Sequence, residues 1–582
     1  MHLCLQIDEI ITKIFSSYNG DKESIKSLYS LALVCQIFHE PARNALWRFQ
    51  RSFVTLVKTF PEDLWDEMED PVITRPRAAT SPLSHSRFRS TTVVTFKRPL
   101  LPTDWTGFQL YAKLMEHLSF DQSPYDLSTF DRRELSPSVF RAIQRSHDLC
   151  HFDRPLLQNL TSFTFKLDFG GISLRDACIF LGPRLKTLDF TIPRSLVGLR
   201  TFAKALKARC PAIEHLYISN CQSSDRVNRV VSDLVCSLPS LRTVRFGDIT
   251  CHSQALEYLS SRPSLQDLHV HLPDELAQQR LLDVSPKILP FLAMRSLDIT
   301  VASTASVVEF FQVTSGSSDL ESLSITIDSI LPTAAQLHAA LTVMQQSGIC
   351  DKLTTFVLGD RVMLAEDSIP LHVLDAQTLL PLLQCRNLED INIHISYGHA
   401  AIDNSLLKEM ALAWPCLRAL FLFSCHYAHL WHAKADLRGL VCLAQNCHSL
   451  ESVGLQFDVS LPPTAIYPDK AIRCEWLTRL DVARSHVTNP LAVATFLTDV
   501  FPNLTLIDHE YYIRSTPPGT SIRSDFEDEL SEDERSPEYI DMAKRWKDVV
   551  QILNARRQEL SQSPTNCNTV TQRLNKGDGI DC

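Results

Sequence analysis

The chain has 582 residues, of which 45% are hydrophobic and 21% are charged, and this composition excludes intrinsic disorder over the whole length. Its 57 Lys and Arg residues against 67 Asp and Glu residues give a net charge of −10, so no overall positive field would draw it to nucleic acid or to an anionic membrane surface. Sixteen glycines are few for this length, which leaves little provision for phosphate-binding loops.

The first residues carry no basic segment of the kind that opens a secretory signal, and no apolar run approaches the roughly 18 residues that cross a bilayer. We therefore expect an intracellular protein, in the cytoplasm, the nucleus or both, with no membrane partner. In that setting the 17 cysteines are predicted to be reduced thiols.

Residues 1–50 are predicted to form a small unit of three helices. Ile7, Ile10, Ile11, Ile14 and Phe15 recur at helical spacing, on a helix that Asp8 or a neighbour would cap. A second apolar segment runs over 25–38, and a third helix is predicted to begin at Pro41, since proline suits the first helical position. So short a unit buries little, which would leave apolar surface for a partner.

Residues 51–154 are predicted to connect this unit to the rest of the chain. Within them the segment 66–98 is rich in Pro, Ser and Arg, which is typical of a linker or a disordered loop.

From residue 155 to about 515 the chain repeats one pattern, an apolar residue followed by apolar residues three and five positions later. The pattern occurs thirteen times at intervals of 24 to 35 residues, each time after a helix-like stretch. It predicts short parallel strands joined by outer helices, an α/β solenoid. The first positions of the thirteen units are Leu160, Leu185, Ile213, Leu241, Leu265, Met294, Leu320, Leu353, Leu388, Leu417, Leu450, Leu477 and Leu504.

The pattern resembles the leucine-rich repeat family, whose fold is a horseshoe of parallel strands with outer helices. Seven cysteines lie at fixed positions of the repeat, five of them three residues before a first position and two of them eight residues after one. Cys210 to Cys221 show the full form C-x-x-L-x-x-L-x-L-x-x-C, which is similar to the cysteine-containing subtype. We interpret these thiols as small buried packing elements. The alternative, a zinc site, lacks any C-x-x-C pair.

The opening helices resemble an F-box, through Leu5 to Phe15, Leu31 to Phe38 and Pro41 to Trp47. The order of the pieces over about residues 3–510 is similar to a fungal group that joins an F-box to leucine-rich repeats. This resemblance implies a substrate-recognition subunit of a cullin-RING (SCF-type) ubiquitin ligase, in which the F-box docks on a Skp-type adaptor, and through it on a cullin, while the repeats bind a protein substrate. Members usually have proline where this chain has Asp8. The residues predicted to bind the adaptor are Leu5, Ile7, Ile10, Ile11, Ile14, Leu33, Val34, Phe38 and Trp47.

Substrate contacts are predicted on the strands, where residues between the apolar positions point away from the core. Phe421 and Phe423 are unusual there because solvated strand positions are normally small or polar, and two neighbouring aromatics can anchor a partner. The alternative is that the following loop covers them. That loop contains His426, His429 and His432. Three interpretations of these histidines remain: a plain surface loop, a loop that contacts a ligand, and a metal site. The residues predicted to bind substrate are His215, Tyr217, Arg245, His269, His271, Asn392, His394, Phe421, Phe423 and Arg479.

The C-terminal end is predicted to contain an acidic disordered segment over 516–536, a helix over 537–560 and a disordered tail over 561–582. The helix carries Trp546, Val549, Val550 and Leu553 on one face, which suits it to cover the last repeat.

Motifs of hydrolases, zinc proteases and nucleotide-binding enzymes are absent from the sequence, so we expect no enzyme activity, no cofactor and no metal. The alternative to a ubiquitin-ligase subunit is a leucine-rich-repeat scaffold that binds a protein without any role in ubiquitination.

Overall fold

The structure is a computed structural model. The residues it describes are 7–18, 21–70, 91–120, 133–150, 154–166, 172–193, 196–220, 224–272, 291–314, 319–361, 374–395, 402–424, 433–459, 473–509 and 537–562. These residues fall into two compact units, the first ending at Met294 and the second beginning at Arg295.

Three helices open the first unit: α1 (Asp8–Ser16), α2 (Lys22–Ala32) and α3 (Gln36–Arg48). They pack around Ile11, Phe15, Leu28 and Ala42, which are all at most 5% exposed. The Asp21 side chain caps α2, accepting hydrogen bonds from the backbone N–H groups of the first turn. The predicted helical character of this region is therefore observed.

The start of α3 is predicted wrongly, and that of α1 only approximately. Asp8 is the first residue of α1, and the N-cap is its neighbour Ile7, whose side chain makes no capping bond. Pro41 lies inside α3, which begins five residues earlier. The apolar spacing of Phe38, Ala42 and Leu46 continues through the proline, and their packing on the core outweighs the one backbone hydrogen bond that proline removes.

The region between the helices and the repeats is folded over most of its described length. It contains β1 (Phe49–Gln50), α4 (Val54–Val57), β2 (Trp65–Asp70), β3 (Thr91–Phe96), α5 (Trp105–Ala112), β4 (His117–Ser119), β5 (Arg133–Leu135) and α6 (Pro137–Leu149). Strands β2 and β3 pair antiparallel. The predicted linker over 66–98 is thus wrong at both ends, where the β-branched run of β3 favours a strand. Residues 71–90 lie outside the described part.

Asp104 anchors the turn that leads into α5. Its buried carboxylate accepts hydrogen bonds from Arg98 Nη1 at 2.7 Å, Arg98 Nη2 at 3.0 Å and the Leu101 backbone N–H at 2.8 Å. The hydrogen bonds from Arg98 lower the pKa of Asp104 below its ordinary value of 3.8.

Replacement of Asp104 by asparagine is expected to lower the free energy of unfolding by about 1–3 kcal/mol at pH 7, because a charge-assisted bidentate pair is lost. Since the folded-state pKa is depressed, the carboxylate stabilises the fold above about pH 4 and loses this effect as the pH falls through the folded value. Urea unfolding at pH 7 and pH 3 should therefore show a gap between wild type and Asp104→Asn that narrows in acid. A gap of equal size at both pH values would contradict this.

The first unit contains seven strands of a parallel sheet, β1, β4, β6 (Ser162–Phe165), β7 (Thr187–Ile192), β8 (His215–Asn220), β9 (Thr243–Thr250) and β10 (Asp267–His271). The last five are the predicted repeat strands. Each pairs with the next in the chain, so that Phe163, Leu188, Leu216, Val244 and Leu268 form one buried row. The helices α7 (Leu174–Ala177), α8 (Leu199–Arg209), α9 (Asp225–Val235) and α10 (Ser253–Ser260) connect them.

The second unit contains eight strands of the same kind, β11 (Ser296–Val301), β12 (Ser322–Ile327), β13 (Thr355–Asp360), β14 (Asp390–Ile395), β15 (Ala419–Ser424), β16 (Ser452–Leu455), β18 (Arg479–Asp481) and β20 (Leu506–Asp508). A separate pair is formed by β17 (Asp458–Val459) and β19 (His486–Val487). The helices are α11 (Thr304–Val313), α12 (Ala334–Gln346), α13 (Ala376–Leu379), α14 (Asn404–Ala413), α15 (Leu437–Asn446), α16 (Pro490–Val500) and α17 (Pro537–Gln562).

The repeat pattern is confirmed residue by residue. All thirteen predicted first-position side chains are at most 2% exposed. Parallel strands alternate with helices in both units, and Ser, Thr, Asp and Asn residues cap many of these helices, for example Ser224, Thr333 and Asp436. The predicted fold class, an α/β solenoid of leucine-rich-repeat type, is therefore observed.

The cysteines in repeat phase are buried wherever the structure describes them, namely at Cys210, Cys350, Cys385, Cys447 and Cys474. Burial raises the pKa of Cys210 and of Cys447 to about 12, so these thiols are protonated packing groups. The prediction that all cysteines are reduced differs from the structure at one pair, because Cys350 and Cys385 form a disulfide. They occupy equivalent positions in successive repeats, which brings their Cα atoms to 4.3 Å.

The predicted C-terminal helix is observed as α17. Trp546, Val549 and Leu553 are buried, while Val550 is half-buried. The Trp546 indole Nε1–H donates to the Ser485 carbonyl at 2.8 Å, and Arg545 Nη1 donates to the Val487 carbonyl at 3.0 Å. The helix thus covers apolar residues of the last repeats. None of the helices in the described ranges is both long and apolar enough to cross a bilayer.

Candidate functional site

The three-helix bundle leaves a set of large apolar side chains in solvent. Ile10 and Ile14 of α1 are 37% and 43% exposed, and Ile7, which precedes the helix, is 46% exposed. They recur at intervals of three and four residues, which places them along one face of α1. These three were predicted to bind an adaptor.

Leu33 and Val34 are the most exposed of the predicted adaptor-binding residues, at 71% and 64%. The sequence suggested one apolar segment over 25–38, but α2 ends at Ala32 and α3 begins at Gln36. The intervening turn is closed by the Leu33 and Val34 backbone N–H groups, which donate to the carbonyls of Ser30 and Leu31 at 3.1 and 3.2 Å. Because the turn uses the backbone alone, both side chains project into solvent.

Of the other predicted adaptor-binding residues, Ile11 and Phe38 hold the bundle together, and Trp47 packs against α5. Ile11 is 1% exposed in the core, so its assignment to a contact surface is wrong: it faces inward one residue after Ile10. Phe38 packs edge-on against Phe15, with ring centroids at 5.6 Å. Trp47 stacks on Tyr111 of α5 at 4.3 Å. Leu5 lies outside the described residues.

Further exposed apolar residues on the bundle were not predicted. Tyr29 is 62% exposed, and Ile25, one turn before it on α2, is 36% exposed. Ile37 in the first turn of α3 is 42% exposed. The four-residue spacing of Ile25 and Tyr29 was visible in the sequence, but it could not be distinguished from the core-facing spacing of the same helix.

The strands of the first unit bring predicted substrate-binding residues into rows. Tyr217, Arg245 and His269 occupy the same register position on β8, β9 and β10, next to Asp189 on β7. The Arg245 guanidinium lies 5.8 Å from the centre of the Tyr217 ring. His271 follows beyond an irregularity in the register of β10.

A second row contains His215, Thr243 and Asp267, which are linked by hydrogen bonds. His215 Nδ1 and Thr243 Oγ1 are 3.1 Å apart, and the Thr243 hydroxyl donates to Asp267 Oδ2 at 3.1 Å. The sequence prediction did not include Thr243. This network fixes the orientation of the His215 ring, so that the face presents basic, acidic and aromatic groups in set positions.

In the second unit Asn392 and His394 are exposed on β14 and pair in register with Phe421 and Phe423 on β15. The next strand carries Gly454 opposite Phe421. On β18, Asp481 pairs with Gly454 and Arg479 pairs with Ser452, and the Arg479 guanidinium lies 5.8 Å from the centre of the Phe421 ring. Arg479 also donates to Asp508 Oδ2 at 2.9 Å.

The structure therefore brings Phe421, Asn392 and Arg479 to one face of three strands. Burial raises the pKa of Asp481, which lies beside Gly454 in the same row. The side chain of Phe423 and the histidine loop over 425–432 lie outside what the structure describes.

No family model and no curated protein matches this chain. Among solved structures, a chain from the crystal structure of the Rad7 and Elc1 complex in yeast is similar over 55% of this chain and 72% of that chain, with 14% sequence identity and a TM-score of 0.31.

Proposed function

We propose that this chain is an F-box protein with leucine-rich repeats, of the fungal type, that serves as the substrate-recognition subunit of a cullin-RING (SCF-type) ubiquitin ligase. The observation that carries the proposal is the exposed apolar surface of the N-terminal bundle, formed by Ile7, Ile10, Ile14, Leu33 and Val34. Large apolar side chains are unfavourable in water, so binding of a partner that covers this set lowers the free energy.

The size of that gain is adequate for docking. Burying one exposed Leu, Ile or Val side chain contributes about 1.5–3 kcal/mol when it is fully covered. Five such residues at roughly half exposure supply several kcal/mol before the costs of association are subtracted. A Skp-type adaptor, and through it a cullin, is the partner that the F-box resemblance implies.

The strand faces are proposed to hold a protein substrate. Rows of aromatic, basic and amide side chains lie in fixed register on β8 to β10 and on β14 to β18, which suits recognition by side-chain contacts. In this role the chain catalyses no reaction and requires no cofactor. It acts inside the cell, in cytoplasm or nucleus, without a nucleic-acid or membrane partner.

Co-elution tests the docking step. The full chain and a purified Skp-type adaptor–cullin pair should leave a size-exclusion column as one complex. Elution of the chain apart from the adaptor, in a run where a known F-box protein co-elutes, would rule out the proposal.

The double substitution of Phe421 and Arg479 by alanine is expected to remove the protein substrate while leaving the adaptor bound. Both side chains are on the strand face, far in sequence from the bundle, and an aromatic ring with an arginine is a frequent binding hot spot. Affinity purification with quantitative mass spectrometry should show partners of the wild type that the variant loses. The matched control is Trp476→Ala with Arg473→Ala, an exposed aromatic and arginine outside the strands. Equal loss in both variants would contradict a role for the strand face.

One observation, the aspartate at position 8, favours the alternative function, a leucine-rich-repeat scaffold that binds a protein without any role in ubiquitination. Asp8 is the first residue of α1, a position whose backbone geometry proline adopts readily, so Asp8→Pro is expected to fold. Under our proposal the wild type binds the adaptor and Asp8→Pro changes its affinity less than about tenfold. If binding appeared only in Asp8→Pro and not in Asp8→Ala, the scaffold would be the correct reading.

A further inference from the structure

A chain of three polar side chains crosses three adjacent strands of the first unit. His215 on β8, Thr243 on β9 and Asp267 on β10 occupy one register row. The Thr243 hydroxyl oxygen lies 3.1 Å from His215 Nδ1 on one side and 3.1 Å from Asp267 Oδ2 on the other. Thr243 is only 4% exposed, so little water competes for its hydroxyl. The three groups therefore form one hydrogen-bonded relay.

The direction of the relay follows from the chemistry of its members. The Thr243 hydroxyl has one hydrogen, and the Asp267 carboxylate can only accept, so this hydrogen is donated to Asp267. The Thr243 oxygen is then an acceptor toward His215, whose Nδ1 must be the donor. Because a neutral imidazole carries a single ring N–H, the other nitrogen, Nε2, is left with a lone pair.

This lone pair is available to a binding partner. His215 is half-buried on the strand face. Its Nε2 forms no hydrogen bond with any residue that the structure describes, and it is not buried, so it is open to solvent. A group that binds over β8 can therefore reach a hydrogen-bond acceptor whose tautomer and orientation are already fixed.

We propose that Thr243 is a positioning residue that holds His215 in its Nδ1–H tautomer, and that the substrate group bound at Nε2 is a hydrogen-bond donor. The second half rests on the proposed function, since it takes the strand face as the substrate surface. A carboxylate is selected against at this point, because its oxygens and Nε2 would set lone pairs against each other. Thr243 and Asp267 would thus determine specificity without touching the substrate.

Nitrogen NMR of the full chain with isotope-labelled histidine tests the tautomer at pH 8, where histidine is ordinarily neutral. The His215 signals, identified by their loss in His215→Gln, should show a protonated Nδ1 and an unprotonated Nε2. Thr243→Ser keeps the hydroxyl and should keep this tautomer, whereas Thr243→Val should lose the preference. A protonated Nε2 in the wild type, or the same tautomer in the wild type and in Thr243→Val, would overturn the role of Thr243.

The matched control for this measurement is Thr355→Val. Thr355 on β13 occupies the same place in its repeat, two residues after the first position, and its hydroxyl forms no hydrogen bond with any described residue. The His215 signals should be unchanged in this variant. An equal change in Thr355→Val and Thr243→Val would assign the effect to a general disturbance of the sheet and overturn the relay.

Replacement of the acceptor tests the chemistry of the substrate group. Glutamine has an acceptor oxygen, so His215→Gln should recover the partners of the wild type to within about tenfold, by affinity purification with quantitative mass spectrometry. Lysine has only donors, so His215→Lys should reduce their recovery at least tenfold. The control for the added charge is His448→Lys, at an exposed position outside the strands, which should recover them fully. Retention by His215→Lys, or equal loss in both His215 variants, would overturn the substrate class.

The adaptor separates this inference from the proposed function. Every variant of His215 and Thr243 is expected to bind it as the wild type does, because the relay lies on the strands and not on the bundle. Failure of the wild type to bind the adaptor would count against the proposed function, while the tautomer of His215 is measured without any partner. A wild type that holds the adaptor but no other protein would overturn the substrate class.

Discussion

Replacement of Leu33 and Val34 by aspartate is expected to weaken binding of a Skp-type adaptor about a hundredfold or more without unfolding the chain. The two side chains are 71% and 64% exposed in the turn between α2 and α3, so aspartate is hydrated there in the free protein. In a complex, the loss of two buried aliphatic groups costs about 3 kcal/mol, equivalent to about two factors of ten in affinity. Calorimetry or surface plasmon resonance with purified adaptor measures this directly.

The control for this variant is Ile330→Asp with Leu412→Asp, at 63% and 62% exposure in the second unit. It introduces the same charges on equally exposed apolar positions outside the bundle, and it should bind the adaptor as the wild type does. An unchanged affinity in the Leu33 and Val34 variant, with the same thermal unfolding midpoint as the wild type, would remove the turn from the docking surface.

Replacement of Trp414 by alanine is expected to lower the free energy of unfolding of the second unit by about 3–5 kcal/mol. Trp414 is 1% exposed and directly follows α14 as its C-cap, at the repeat position that Cys385 and Cys447 take in neighbouring repeats. Its indole Nε1–H donates to the Leu382 carbonyl of the preceding repeat at 3.3 Å. Truncation leaves both a large cavity and an unpaired buried carbonyl.

Urea unfolding followed by circular dichroism tests this, with Trp476→Ala as the matched control. Trp476 lies one residue before the first position of its repeat, but it is 62% exposed. Its loss should change the unfolding free energy by less than about 0.5 kcal/mol. Similar losses for both tryptophans would contradict the assignment of Trp414 to the interior of the solenoid.

The repeats were predictable from sequence because their signal is redundant. Each strand repeats the same three apolar positions. The last unit departs from the pattern because His509 stands at its third position, but the other twelve units are enough to define the repeat. The register follows from the same rule, since aligned first positions place Leu216 beside Val244 and Phe163 beside Leu188. Burial of a small thiol at Cys210 and Cys447 was likewise inferable from their common phase.

The region before the repeats was not predictable in this way. It has no period, and its core is an aromatic cluster assembled from distant positions, in which Phe53 meets Phe180 at 4.8 Å and Phe60 meets Phe108 at 4.7 Å. Strand β3 pairs with β2 across a segment of low complexity. Contacts of this kind depend on tertiary packing, and local composition carries little information about them.

The candidate sites also have features that could be predicted from the sequence and features that could not. The exposure of Ile10, Ile14, Leu33 and Val34 could be predicted, because a unit of about 50 residues is too small to bury all of its apolar side chains. The separation of Ile10 from Ile11, one exposed and one buried, depended on the exact rotation of α1, which the sequence did not fix.

Amide hydrogen exchange of the full chain, free and saturated with a Skp-type adaptor, tests the central claim most directly. We predict slower exchange in peptides covering 7–18 and 30–38 when the adaptor is bound, with unchanged exchange in peptides covering β7 to β10, which remain open for substrate. Unchanged exchange in the N-terminal peptides of a chain that has bound adaptor, or slowing confined to the strands, would contradict it.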